Sequence, residues 1–126
     1  MSTKSTAKKN TKSKTSWNKQ EVLNDYKLAN VSRQISLLGR KEVLTGKAKF
    51  GIFGDGKEIA QIAMAKQYKD GDWRSGYYRD QTLMLALGLM KPEEFFAMIY
   101  GDTDDKINPS TAGRNSASCA GHWGRL

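Results

Sequence analysis

The chain has 126 residues, with Lys+Arg 21 against Asp+Glu 13 and a formal net charge of +8. Only 38% of its residues are hydrophobic, so it accommodates one small core and excludes a multidomain machine. No apolar run is long enough to span a bilayer and no apolar N-terminal leader is present; with the single Cys119 unable to form an internal disulfide, a soluble, cytoplasmic protein is expected.

The positive charge is unevenly placed. Residues 1–20 hold six lysines and no acid, whereas residues 21–126 carry 15 basic and 13 acidic residues. The Ser, Thr, Lys and Asn composition of residues 1–17 cannot offset the entropy cost of ordering, which predicts a disordered basic arm. Such an arm binds polyanions weakly and without sequence preference, so the net charge alone does not make nucleic acid the expected partner.

Order is expected from residue 18. Asn18 suits a helix N-cap, with Glu21 reaching back and Trp17 stapling onto Val22. Val22, Tyr26, Ala29, Ile35 and Leu38 then recur at helical steps, with Gly39 as the expected stop. A glycine-spaced loop through Gly46, Gly51, Gly54 and Gly56 follows. Asp55 and Glu58 repeat the capping-box spacing before Ile59 to Ala65, an apolar stretch that reads as a buried helix stopping by Asp70-Gly71.

The segment Trp73-Arg74-Ser75-Gly76-Tyr77-Tyr78-Arg79 leads to Asp80, a candidate cap for a third apolar helix over Thr82 to Leu89. Pro92 fits the first turn of a fourth helix, Glu93 and Glu94 its positive end, and Gly101 its close. The last residues show no period, and no strand run is evident. Residues 18–126 thus read as one mostly α unit, and two helices apolar nearly all round predict that it belongs to a larger assembly.

Several motifs bear on chemistry. Gly54-Asp55-Gly56 is shaped like a magnesium-holding turn, but no asparagine follows at the required distance, so it reads as a helix entry and no metal site is expected. Cys119 and His122 have ligand spacing, yet a zinc site needs at least three protein donors and none other of these types exists. Arg74, Arg79, Tyr77 and Tyr78 offer guanidinium forks and phenol donors just before a helix start, a set suited to phosphate. The competing reading pairs these arginines with Asp70, Asp72 or Asp80 under an aromatic lid.

Gly54-Asp55-Gly56-Lys57-Glu58-Ile59-Ala60-Gln61, then Gly71-Asp72-Trp73, Tyr77-Tyr78-Arg79-Asp80-Gln81, Ala86-Leu87-Gly88 and Gly113-Arg114 occur in the order and spacing of a known family. Over about residues 18–114 the chain resembles the start of the α part of thiamine diphosphate-dependent 2-oxo acid dehydrogenases. Within that family it looks most like the branched-chain (2-oxoisovalerate) enzymes whose α and β parts are joined. The resemblance implies the N-terminal helical segment of an α/β thiamine-diphosphate-binding fold.

It also implies oxidative decarboxylation of a branched-chain 2-oxo acid, with the acyl group passed to a lipoyl-lysine. The implied partners are an E1 β part or subunit and a lipoyl acyltransferase, in a hetero- or homo-oligomer without membrane or nucleic acid. By position, Tyr78 and Arg79 would hold the diphosphate, while Asp80 and Gln81 would fix their loop. The family's active-site histidine follows the Gly-Arg step by a short loop; His122 is the candidate for it, set off from that spacing by the seven residues between it and Arg114. The magnesium motif and the β part are absent, which predicts a truncated front end without activity of its own. The alternative expectation is a small non-enzymatic helical interaction module with a polyanion-binding basic tail.

Overall fold

In a computed structural model of the chain, residues 18–108 and 124–125 are described. The element order is α1 (Lys19–Leu44), α2 (Glu58–Ala65), β1 (Trp73–Arg74), α3 (Gln81–Ala86), α4 (Pro92–Tyr100) and β2 (Gly124–Arg125). The structure is mostly α, and the strands among the described residues are one antiparallel pair in which Trp73 faces Arg125 and Arg74 faces Gly124. The basic arm of residues 1–17 and the Trp17 staple lie outside the described residues.

Helix α1 starts as expected, the Asn18 side chain accepting from the Gln20 amide at 3.1 Å. Glu21 does not close a capping box; it accepts from Lys66 Nζ at 2.6 Å, as does the neighbouring Asp25, tying the start of α1 to the end of α2. Two carboxylate hydrogen bonds, the Asp25 bond first, hold the Lys66 ammonium above its ordinary pKa.

The helix also runs five residues past its expected stop. Gly39 is a contact point, since a Cβ there would collide with the Phe53 ring. The left-handed turn falls instead at Gly46, with φ 76°, after Thr45 donates its amide to the Lys41 carbonyl.

The buried row of α1 is Ser32, Ile35, Ser36, Gly39 and Glu42, a single helical face of mostly small or polar side chains. Of the expected apolar stripe only Ile35 enters the core; Val22, Tyr26 and Leu38 are exposed. The reason is the partner: α3 presents Gln81 and Thr82 to α1, and small hydrogen-bonding residues fit that surface where bulky aliphatic ones would not.

Helix α2 departs from expectation as well. Its N-cap is Lys57, and no Asp55–Glu58 box forms, because Glu58 Oε2 accepts from the Gly56 amide at 2.9 Å while Asp55 turns to α1. It ends at Ala65, ahead of Asp70-Gly71. Glu58, Gln61 and Ile62 face inward, whereas Ile59 is 71% exposed and Met64 also faces out, so the apolar helix is covered on one side only.

Helix α3 is shorter than its apolar run. It closes at Gly88, φ 68°, where Leu89 N reaches the Met84 carbonyl at 2.9 Å and Gly88 N the Leu85 carbonyl at 3.1 Å. Helix α4 follows the expected pattern: Pro92 opens it, Glu94 Oε2 accepts from the Lys91 amide at 2.8 Å, and Gly101 at φ 72° ends it.

The apolar core lies where α1, α3 and α4 meet, and holds Ile35, Ala48, Met84, Met90, Phe95, Met98 and Ile99. Phe53 leans on Phe95 with ring centroids 6.1 Å apart, and Phe96 meets Phe95 edge-on at 5.8 Å. Among the described residues no helix is long and apolar enough to cross a membrane.

Candidate functional site

Beside the apolar core lies a polar one, built by two glutamines. Gln81, the first residue of α3 and 1% exposed, donates from Nε2 to the Ser36 hydroxyl at 2.6 Å and the Ser32 carbonyl at 3.0 Å. Its Oε1 accepts from the Gly54 amide at 3.3 Å, and Ser32 and Thr82 share a hydroxyl hydrogen bond of 2.6 Å. Gln61 of α2 donates to the Arg79 carbonyl at 2.8 Å and accepts from the Leu83 amide at 3.0 Å. Three elements are thereby fastened to the segment that carries Tyr78 and Arg79.

The turn before α2 is pinned from α1. Arg40 Nη2 donates to both Asp55 oxygens at 2.8 Å, and Arg33 makes a two-nitrogen pair with Glu58, 2.7 Å and 3.0 Å. Burial alone would raise the Glu58 pKa, but the Arg33 hydrogen bond and the Gly56 and Glu58 amides bring it net below its ordinary 4.5. Because the folded value is the lower one, this stabilisation is full above pH 4.5 and is lost as pH falls through the folded value. Urea midpoints followed downward from pH 4.5 should therefore fall less steeply in Glu58→Gln than in the parent; parallel curves would contradict this.

Gly54 sits against the same segment. A Cβ on it would lie 2.5 Å from the Arg79 carbonyl oxygen, so only glycine permits this approach. Asp55 is committed to Arg40, and among the described residues no group of three or more His, Cys, Asp or Glu side chains could hold a metal ion.

The two arginines of the aromatic segment divide their roles. Arg74 is buried and pairs with Asp80 Oδ2 at 3.1 Å, while Asp80 also accepts from the Tyr77 amide at 2.8 Å. For Arg74 the ion-pair reading is thus the observed one, and Asp80, although it precedes α3, makes no side-chain cap bond to it. Arg79 is exposed, its guanidinium 5.7 Å from the Tyr78 ring centroid, and Tyr78 stacks obliquely on Tyr77 with centroids 4.0 Å apart. Hydrogen bonding to Tyr78 holds the Tyr77 phenol above its ordinary pKa, with partial burial adding to the effect.

The structure therefore brings Tyr78 and Arg79 together and holds the Arg79 carbonyl through Gln61 and Gly54. His122, Cys119 and the Gly113-Arg114 step lie outside the described residues. The residues that sequence reasoning missed are Gln61 and the Ser32, Ser36 and Thr82 hydroxyls. For the two serines the signal was the row of small residues at positions 32, 36 and 39, one face of α1 that a search for apolar residues passes over; Gln61 and Thr82 carried no such signal.

A family model described as dehydrogenase E1 component matches residues 26–119, spanning all of α2, α3 and α4 and most of α1. No solved structure matches the chain.

Proposed function

Because the chain belongs to the dehydrogenase E1 component family, we propose that it supplies the N-terminal helical part of an E1 α portion for branched-chain 2-oxo acids such as 2-oxoisovalerate. The family is thiamine diphosphate-dependent. The chemistry the cofactor supplies when bound is stabilisation of the carbanion left by decarboxylation, and the protein's part is to orient and neutralise it.

The observation that carries the reading is the Tyr78–Arg79 face. Among the described residues Arg79 pairs with no carboxylate, and it sits beside a phenol on a segment fixed by Gln61 and Gly54. An exposed, uncommitted guanidinium next to a hydroxyl donor fits the diphosphate's charge and its oxygen acceptors. The described residues do not fit the magnesium ion, since both Asp55 oxygens are engaged by Arg40. Its ligands would then come from elsewhere in an assembly with an E1 β part and a lipoyl acyltransferase, in the cytoplasm.

Two outcomes are expected. The purified chain with thiamine diphosphate and Mg2+ should not decarboxylate 2-oxoisovalerate, and turnover by it alone would contradict the assignment as a part. In a chain completed with a β part, Arg79→Ala should raise the cofactor dissociation constant about tenfold, the worth of one charge-assisted hydrogen bond. An unchanged constant would remove the diphosphate role.

A further inference from the structure

Gln61 lies on α2, outside the aromatic segment, is 7% exposed and uses both ends of its amide on one short stretch of chain. Its Nε2 donates to the Arg79 carbonyl and its Oε1 accepts from the Leu83 amide. Leu83 N–H is one of the first-turn donors of α3 that has no partner within the helix. The residue placed to cap it, Asp80, is drawn away by Arg74 and the Tyr77 amide. Gln61 thus caps α3 from a neighbouring helix and, with the same side chain, holds the peptide that follows the Arg79 α-carbon.

The Gly54 backbone packs close to the same carbonyl, where a Cβ would come within 2.5 Å of the oxygen. The Arg79 carbonyl is therefore hydrogen-bonded by Gln61 and closely packed by Gly54 while the Arg79 side chain stays exposed. That arrangement fixes where a guanidinium can reach and leaves its tip available. Lys66, Arg33 and Arg40 differ in this respect, because each spends its charge on carboxylates.

We infer that Gln61 is the positioning residue of the Tyr78–Arg79 anion cradle, setting the direction of the Arg79 guanidinium through the Arg79 carbonyl without touching the ligand. The inference rests on the diphosphate reading above. Both polar ends are required: a carboxylate at position 61 could still accept from Leu83 N but would face the Arg79 carbonyl with a lone pair, and a thioether would satisfy neither.

The test uses inorganic pyrophosphate as the probe and calorimetric titration of the whole chain at a temperature where every variant is folded. Gln61→Glu and Gln61→Met should each weaken pyrophosphate binding about tenfold relative to the parent. Ile35→Val, which thins the core away from the cradle, should leave it unchanged at a comparable loss of thermal stability; this separates positioning from simple destabilisation. Faster hydrogen exchange of the Leu83 amide in Gln61→Met supplies a readout independent of binding.

Parent-like pyrophosphate affinity in both Gln61 variants, together with loss in Arg79→Ala, would overturn the positioning role while leaving the diphosphate reading intact. Equal weakening in Ile35→Val would also overturn it. If Arg79→Ala binds as the parent does, the diphosphate reading fails and the inference with it.

Discussion

Gln81→Ala is expected to destabilise the chain by about 3 kcal/mol, because it strips partners from several buried polar groups at once. The Ser36 hydroxyl loses a bond of 2.6 Å, the Ser32 carbonyl one of 3.0 Å and the Gly54 amide one of 3.3 Å, all in sites closed to water. The Gly54 amide then costs its full desolvation, which exceeds the modest net worth of the bond itself, while the Ser36 hydroxyl and Ser32 carbonyl keep their mutual bond of 3.2 Å. The groups form one network, so Gln81→Ala combined with Ser36→Ala should cost less than the two single changes added. Urea unfolding of the four proteins gives the comparison; a Gln81→Ala loss under about 1 kcal/mol, or strict additivity, would contradict a connected polar core.

Gly54→Ala is the second large effect. The new Cβ would sit 2.5 Å from the Arg79 carbonyl oxygen and 3.4 Å from the Gln81 Cγ, and neither neighbour can yield. The backbone carbonyl is held by Gln61, and Gln81 is locked in the serine network. About 2 kcal/mol of stability should be lost, in the range of an overpacked core, and pyrophosphate affinity should fall with it because the Arg79 peptide is displaced.

Gly56→Ala is the informative control. At φ 90° it strains the backbone, at about 1 kcal/mol, but a Cβ there meets nothing within 4 Å and leaves Arg79 alone. A Gly54→Ala protein with parent stability and affinity would show that the close approach does not matter.

The parts legible in the sequence were those written in local chemistry. Proline at the start, glutamate in the first turn and glycine at the end locate α4, and Asn18 locates the start of α1. The errors arose where a distant partner overrode the local signal. Gly39 resembles a helix stop, yet it is a slot for Phe53, fourteen residues on. Asp55 and Asp80 resemble caps, yet Arg40 of α1 holds the first and Arg74, six residues earlier in the chain, holds the second.

The apolar stripe failed for a related reason. Hydropathy rewards Val22, Tyr26 and Leu38, whereas α1 buries the row that can hydrogen-bond to Gln81 and Thr82. Of the candidate site, the Tyr-Tyr-Arg-Asp segment was recognisable by its residues, and the split between a buried Arg74 and an exposed Arg79 was not. That split depends on Asp80 turning back toward Tyr77 and Arg74, a choice that only the folded backbone makes.

The proposed seat of the diphosphate is the Tyr78–Arg79 face. The most direct test of this claim is a titration of the isotopically labelled chain with thiamine diphosphate, followed through the backbone amide resonances, with unphosphorylated thiamine as control. The expected result is a set of shifts centred on Tyr77 to Asp80 that inorganic pyrophosphate reproduces, that thiamine does not, and that Arg79→Ala abolishes. Shifts centred elsewhere, or of equal size in Arg79→Ala, would contradict the claim.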